Sequence, residues 1–208
     1  MSDVQTMIEE SNTFVTWLAG RLSRIPLDVG TSQKEAAVMC FGTVIEHHGS
    51  IVYLMGCFPQ KTTSAIALLR PQWEAYIRGF WLMNASAVQA QKWFNNEKLP
   101  SVEAMIRQIE ANSDLGGREK SPFLKFHEQS WKALCGYTHT GPEYLRRWTG
   151  RSTFEPVYED RDVVQILDLS NRLGYLASTA IGRFHATDPN FPKTIHDTVA
   201  IPKRPPLP

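Results

Sequence analysis

Apolar residues recur along most of the chain at spacings of three and four positions, which is the period of a helix buried on one face. Strand-like alternation does not persist long enough to build a sheet. We therefore predict an all-α protein, an antiparallel helical bundle. The pattern places its helices at about 3–24, 32–57, 62–84, 86–95, 101–111, 122–136 and 160–185.

Turn and cap residues set the boundaries of these helices. The connection 59–61 has only three residues. The second and third helices are therefore predicted to pack antiparallel at the centre of the bundle. Thr62 or Thr63 is predicted to cap the third helix. Ser86 and Gln89 form a capping box at the start of the fourth.

Length and composition indicate one domain and a tail. The 208 residues, 42% of them hydrophobic, suffice for a sizeable core. We assign residues 1–185 to the helical bundle domain. Residues 186–208 hold six prolines and are predicted to be an extended or disordered proline-rich tail.

Charge and cysteine content indicate the compartment. A net charge of +1 gives no overall attraction to nucleic acid, so any such binding would be local. The three cysteines are odd in number and lack CxxC spacing, which is typical of reduced thiols in a cytoplasmic protein. No signal peptide or membrane span is predicted, because the longest apolar stretch, 36–58, is interrupted by Glu46 and two histidines.

Three charged residues lie inside the apolar third helix. Arg70, Glu74 and Arg78 follow one another at four-residue steps, so they share one stripe of the helix. We call this stripe the charged ladder. Pro71 removes the hydrogen bond to the Ala67 carbonyl, so the helix is predicted to kink or to restart there. The ladder is either an ion-pair network that fixes helix packing or a ligand site.

A second polar stretch follows the helix end predicted at Gly136. His139 lies in a turn, where its side chain can face a cleft, and arginines follow close behind. If this turn meets the charged ladder, the two would form an anion-binding pocket with one carboxylate to orient it. The candidate ligand-binding residues are Arg70, Glu74, Arg78, Tyr137, His139, Arg146 and Arg147.

The other histidines are given structural roles. His47 and His48 follow Glu46 directly, but adjacent helical side chains point about 100° apart and cannot converge on one ion. His48 and His127 share faces with apolar residues and are predicted to be half-buried. Cofactor-binding motifs are also missing, so we predict neither a metal site nor a cofactor.

Small residues form a strip along the last long helix. Ser170, Gly174, Ser178 and Gly182 recur at four-residue steps, which lets another helix approach closely. That partner lies either within the chain or in a second subunit. We predict a homodimer from this strip and from the resemblance described next.

The two polar stretches resemble a family. The segments Leu69-Arg70-Pro71-x-x-Glu74, Arg78-Gly79-x-Trp81-Leu82, Tyr137-x-His139-x-Gly141 and Arg146-Arg147 resemble an uncharacterised bacterial family of small helical proteins. We associate that family with the HEPN-like (higher eukaryotes and prokaryotes nucleotide-binding) superfamily. The resemblance covers about 30–185. It implies a helical bundle, often a dimer, that engages RNA or a nucleotide in a bacterial stress, toxin-antitoxin or phage-defence setting, with a possible partner protein from the same operon.

The resemblance leaves two functions open. Ribonucleases of the superfamily carry an arginine, then four to six intervening residues, then a histidine, and no arginine here has that spacing. Lys132 precedes His139 at the right distance, but lysine lacks the guanidinium fork that grips a phosphate. We therefore favour a non-catalytic binding protein. The alternative is a metal-independent ribonuclease with His139 as general base, Arg70 and Arg78 stabilising the phosphorane, and Glu74 holding the arginines.

Overall fold

The computed structural model of the protein describes residues 3–95, 97–111, 122–148 and 156–198. Most of these residues are helical, as predicted, and among them the closest approach to a strand is an isolated bridge between Leu27 and His185. The helices are α1 (Asp3–Leu22), α2 (Ser32–Gly56), α3 (Thr62–Asn84), α4 (Ala87–Phe94), α5 (Val102–Ala111), α6 (Pro122–Thr138), α7 (Pro142–Leu145), α8 (Asp160–Gly182) and α9 (Phe191–Thr198).

None of the helices in these ranges combines the length and the apolar character that a membrane crossing requires.

The two central helices, α2 and α3, run antiparallel, as the short connection predicts. Near that connection, the Lys61 amide donates to the Leu54 carbonyl over 3.1 Å. At the far end, the Phe41 ring lies against Gly79, where a Cβ would come within 2.6 Å of it. The sequence separation of residues in contact thus grows with distance from the turn, as it does between antiparallel helices. Helices α5 and α6 pack on one side of α3, while α8 packs against α2.

The strip of small residues on α8 is filled within the chain. Gly174 lies against the buried ring of His48, where a Cβ would come within 2.9 Å of the ring. Gly182 lies against Phe191 and Ile195 of α9 in the same way. The strip therefore supplies no free surface for a second subunit, and the argument for a homodimer that rested on it does not hold.

Two boundary predictions are wrong. Lys61 is the N-cap of α3 and makes no side-chain cap, while Thr62 and Thr63 are already helical. Helix α6 runs past Gly136 to Thr138, and the left-handed residue beyond its end is Thr140, with φ of 57°. The helix continues because the His139 amide still donates to the Cys135 carbonyl over 2.9 Å.

The predicted tail contains a helix. Phe191 and Ile195 lie one turn apart on α9 and are buried against the end of α8. Pro192 is compatible with this helix because it occupies the first turn, where no intrahelical donor is needed. The extended tail is therefore wrong for 191–198, and residues 199–208 lie outside the described part of the chain.

His48 is more deeply buried than the sequence suggests. Its side chain is fully buried, and its Nδ1 lies 2.9 Å from the Ser170 hydroxyl oxygen. Burial lowers the pKa of His48 to about 4. His127 is also buried rather than half-buried.

We expect His48 to make folding stability depend on pH. The unfolded chain binds this proton more readily than the folded chain, so stability is lost as the pH falls from about 6.5 towards 4, by about 3 kcal/mol at most. Urea denaturation of wild type and His48→Gln across this range measures the effect. The variant should be less stable at neutral pH but show a shallower loss on acidification. Equal losses in the two proteins would contradict the assignment.

Candidate functional site

The charged ladder forms on α3 as a pair of shared ion pairs. Arg70 Nε donates to Glu74 Oε1 over 2.9 Å, and an Arg78 guanidinium nitrogen donates to Glu74 Oε2 over 2.7 Å. The exposed fractions of the three side chains are 21% for Arg70, 16% for Glu74 and 39% for Arg78. The ladder thus lies at the edge of the core, and both oxygens of its single carboxylate are used.

Pro71 neither ends nor restarts α3, because the carbonyl that it leaves without its usual donor finds a partner on α6. The Thr138 hydroxyl lies 3.3 Å from the Ala67 carbonyl oxygen and 2.9 Å from the Leu134 carbonyl oxygen. Its one hydrogen is shared between the two. This contact fixes the end of α6 beside α3, one residue before His139.

The end of α6 brings His139 to Arg70. Arg70 Nη1 and His139 Nε2 are in direct hydrogen-bonding contact, although the two residues lie 69 positions apart. Because a guanidinium can only donate, the imidazole accepts at Nε2. His139 is exposed, so the contact faces solvent. The structure therefore joins the ladder to the turn, as the anion-pocket hypothesis required.

The Trp131 ring packs against the guanidinium group of Arg70 in this contact. The Arg70 guanidinium carbon lies 4.8 Å from the centre of the Trp131 ring, in cation–π range. Trp131 in turn packs on His127, with 4.7 Å between ring centroids. Burial lowers the pKa of His127, against the opposing charges of Glu103 and Glu128, so the ring beneath Trp131 is neutral at neutral pH. The stack holds the guanidinium plane without competing for its hydrogens.

Tyr137 and Arg147 form a separate cluster. Arg147 donates to the Tyr137 hydroxyl over 3.2 Å and to Asp162 over 2.7 Å, and it lies 5.0 Å from the Tyr158 ring centre. With a carboxylate and a hydroxyl already bound, Arg147 has a structural part in fixing 142–148 against α8. The structure therefore divides the seven predicted residues. Arg70, Glu74, Arg78 and His139 come together, Tyr137 and Arg147 make their own cluster, and Arg146 is exposed.

Two contributors were missed from sequence. Trp131 was not among the candidate residues, although it lies two turns before His139, on the helix that ends at Thr138, and that position was a usable signal. Thr138 offered no signal, because its partner is a carbonyl 71 positions away. Within the described ranges, no three histidine, cysteine or acidic side chains converge to hold a metal ion.

The arrangement suits an anion better than a cation. Two guanidinium groups and an imidazole surround one carboxylate, and both oxygens of that carboxylate are already bound to arginine. Arg70 also keeps its Nη2 hydrogens outside any hydrogen bond in the described part of the chain. A phosphate oxygen can accept from such a group with the short, strong geometry of a charge-assisted bond.

Comparison with known proteins gives one match. The model of a family described as a family of unknown function (DUF6988) matches residues 41–199, which include α3, α6 and all four residues of the site. No curated protein and no solved structure matches the chain.

We expect Glu74→Ala to destabilise the protein more than Arg78→Ala. Loss of Glu74 leaves two half-buried arginines without a partner, whereas loss of Arg78 leaves Glu74 paired with Arg70. With these exposures the costs fall between those of surface and buried pairs, at about 2 and about 1 kcal/mol. Thermal and urea melts measure the difference.

Arg107→Ala is the control for these melts, because Arg107 pairs with Glu103 at the same spacing but both side chains are at least half exposed. It should cost less than about 0.5 kcal/mol. Three variants with indistinguishable melts would show that the ladder is an ordinary solvated helix face.

Proposed function

The chain belongs to DUF6988, a family of unknown function, and we propose its role from its own site: it is a HEPN-like protein that binds a phosphate-bearing ligand, RNA or a nucleotide, between Arg70 and His139 without cleaving it. The proposal rests on the contact between these two side chains, which faces solvent at the edge of the core. The bacterial stress, toxin-antitoxin or phage-defence setting and the cytoplasmic location belong to this proposal and derive from the resemblance and the cysteine content.

A phosphate would bind by replacing His139 as the acceptor of Arg70. An anionic oxygen is a stronger acceptor than a neutral imidazole nitrogen, so it competes well for the Nη1 hydrogen. Glu74 holds Nε and Trp131 holds the guanidinium plane, so Arg70 need not be reordered when the ligand arrives. The site is therefore preorganised, which lowers the entropic cost of binding. Arg78, tied to the same carboxylate, adds positive charge.

The same contact favours a second candidate, a metal-independent ribonuclease. The spacing that the superfamily's ribonucleases carry on one helix is missing here, but Arg70 and His139 meet through two helices instead. Once a phosphate has drawn Arg70 away, the freed Nε2 can accept the proton of a ribose 2′-hydroxyl. Arg70 and Arg78 would then stabilise the charge that develops on the phosphorus-bound oxygens, with Glu74 holding both.

RNA binding and cleavage in the presence of EDTA separate the two candidates. For a binding protein, wild type retains a labelled single-stranded RNA intact, and Arg70→Ala weakens binding about tenfold or more through loss of a charge-assisted bond. For a ribonuclease, wild type cleaves the RNA, and His139→Ala lowers the rate about a hundredfold or more.

Arg172→Ala is the control for both assays, since Arg172 is an exposed arginine of α8 paired to Asp168. It should behave as wild type. If wild type neither binds nor cleaves RNA, and no nucleotide raises its melting temperature, both candidates are rejected.

A homodimer remains part of the proposal and rests on the resemblance alone. Light scattering at micromolar concentration should give twice the chain mass of 23.6 kDa. A monomer mass would remove the dimer but leave the Arg70–His139 site unaffected, because all of that site's side chains come from one chain. A partner protein from the same operon is also proposed on the resemblance.

A further inference from the structure

A second pocket, of about 500 Å³, lies at the end of α1 and shares no residue with the Arg70–His139 site. One wall is the end of α1, with Trp17, Arg21 and Arg24. The other is the segment after α8, with His185 and Phe191. Its volume falls in the range of about 300 to 1,000 Å³ that is usual for small-molecule sites.

Backbone hydrogen bonds fix the two walls relative to each other. The Asp28 amide donates to the Phe184 carbonyl over 2.8 Å, and the Ala186 amide donates to the Pro26 carbonyl over 2.8 Å. Between these bonds, Leu27 and His185 form the isolated bridge. Three residues on each side, 26–28 and 184–186, are thus tied together, and the pocket between the two walls is a built feature of the fold.

The two arginines that line the pocket, Arg21 and Arg24, can only donate hydrogen bonds. Arg21 lies over the Trp17 ring, 5.9 Å from its centre. Arg24 makes no hydrogen bond or ion pair in the described part of the chain, and it is exposed. No carboxylate lines the pocket among the described residues. Two guanidinium groups therefore face it with no acidic partner.

His185 adds a donor whose identity the backbone sets. Its Nδ1 accepts from the amides of Thr187, over 3.3 Å, and Asp188, over 3.1 Å. An Nδ1 that accepts two hydrogen bonds carries no hydrogen, so in the neutral ring the hydrogen lies on Nε2. The nitrogen left for a ligand can only donate. The ring is held by Phe191, with 4.8 Å between centroids.

The net charge at the pocket is positive. The open carbonyl groups at the end of α1 carry about half a negative charge, which two full positive charges exceed. A carboxylate would balance one of these charges, whereas a phosphate monoester, at about −1.5 to −2 near neutral pH, balances both. Trp17, Ile25 and Phe191 give the pocket an apolar side.

We infer that this pocket binds a small phosphate monoester, with the phosphate held by Arg21, Arg24 and His185 Nε2–H and an apolar body placed against Trp17 and Phe191. The inference is independent of the proposed function, because no side chain is common to the two sites.

Isothermal titration of the full chain with phenyl phosphate tests the inference, with inorganic phosphate and benzoate as partial ligands. Phenyl phosphate should bind more tightly than either, because only it has both the dianion and the ring. Arg24→Gln and Arg21→Gln should each weaken its binding about tenfold or more, as expected for loss of a charge-assisted bond. Arg24 is exposed and has no hydrogen-bond or ion-pair partner among the described residues, so its variant should melt as wild type does.

Two further variants serve as controls. Arg161→Gln changes an arginine that is 66% exposed and bound to Glu159, and it should leave the affinity unchanged. Arg70→Ala removes any phosphate binding at the first site, so the phenyl phosphate binding that persists in this variant, and that Arg24→Gln weakens, belongs to this pocket. The inference is overturned if wild type gives no binding heat with phenyl phosphate, if Arg24→Gln binds as tightly as wild type, or if Arg70→Ala abolishes binding.

Discussion

The Glu74 carboxylate is the constraint on which the candidate site depends. It is mostly buried, and each of its oxygens accepts from a different arginine, so it sets the positions of Arg70 and Arg78 together. Arg70 then reaches Trp131 on α6 and His139 just beyond the end of that helix. One ionised side chain on the central helix therefore determines where the exposed polar groups of two other elements converge. A buried ionic group of this kind contributes more to a defined geometry than to net stability.

Local pattern was enough to predict the helices and the ladder. Helical period placed Arg70, Glu74 and Arg78 on one stripe, and the structure shows that spacing realised as two ion pairs. The α2–α3 pairing followed from a three-residue connection that permits little else. These features depend on residues close in sequence, which is why the sequence alone sufficed for them.

What the sequence could not provide were contacts between distant elements. Pro71 was expected to kink α3 or to make it restart; the helix does not restart, and the carbonyl that Pro71 frees is reached by Thr138 from another helix. The strip on α8 was compatible with a partner inside or outside the chain, and His48 and α9 occupy it. The missing Arg-to-His spacing counted against catalysis only as long as both residues were required on one helix. In each case a local rule was applied correctly and a tertiary contact replaced the expected local partner.

The two candidate sites place different demands on a ligand. At the first, Arg70 already donates to His139 and to Glu74, so a phosphate that takes the Nη1 hydrogen displaces a neutral acceptor. Binding through Nη1 therefore releases Nε2 of His139, which then becomes free to accept from another donor. At the second, Arg24 has no hydrogen bond to give up within the part of the chain that the structure describes, and two backbone amides bound to Nδ1 make Nε2 of His185 the donor. A ligand can therefore reach these donors without displacing an existing acceptor. Of the two, only the site on α3 therefore has the coupling that a switch or a catalyst needs.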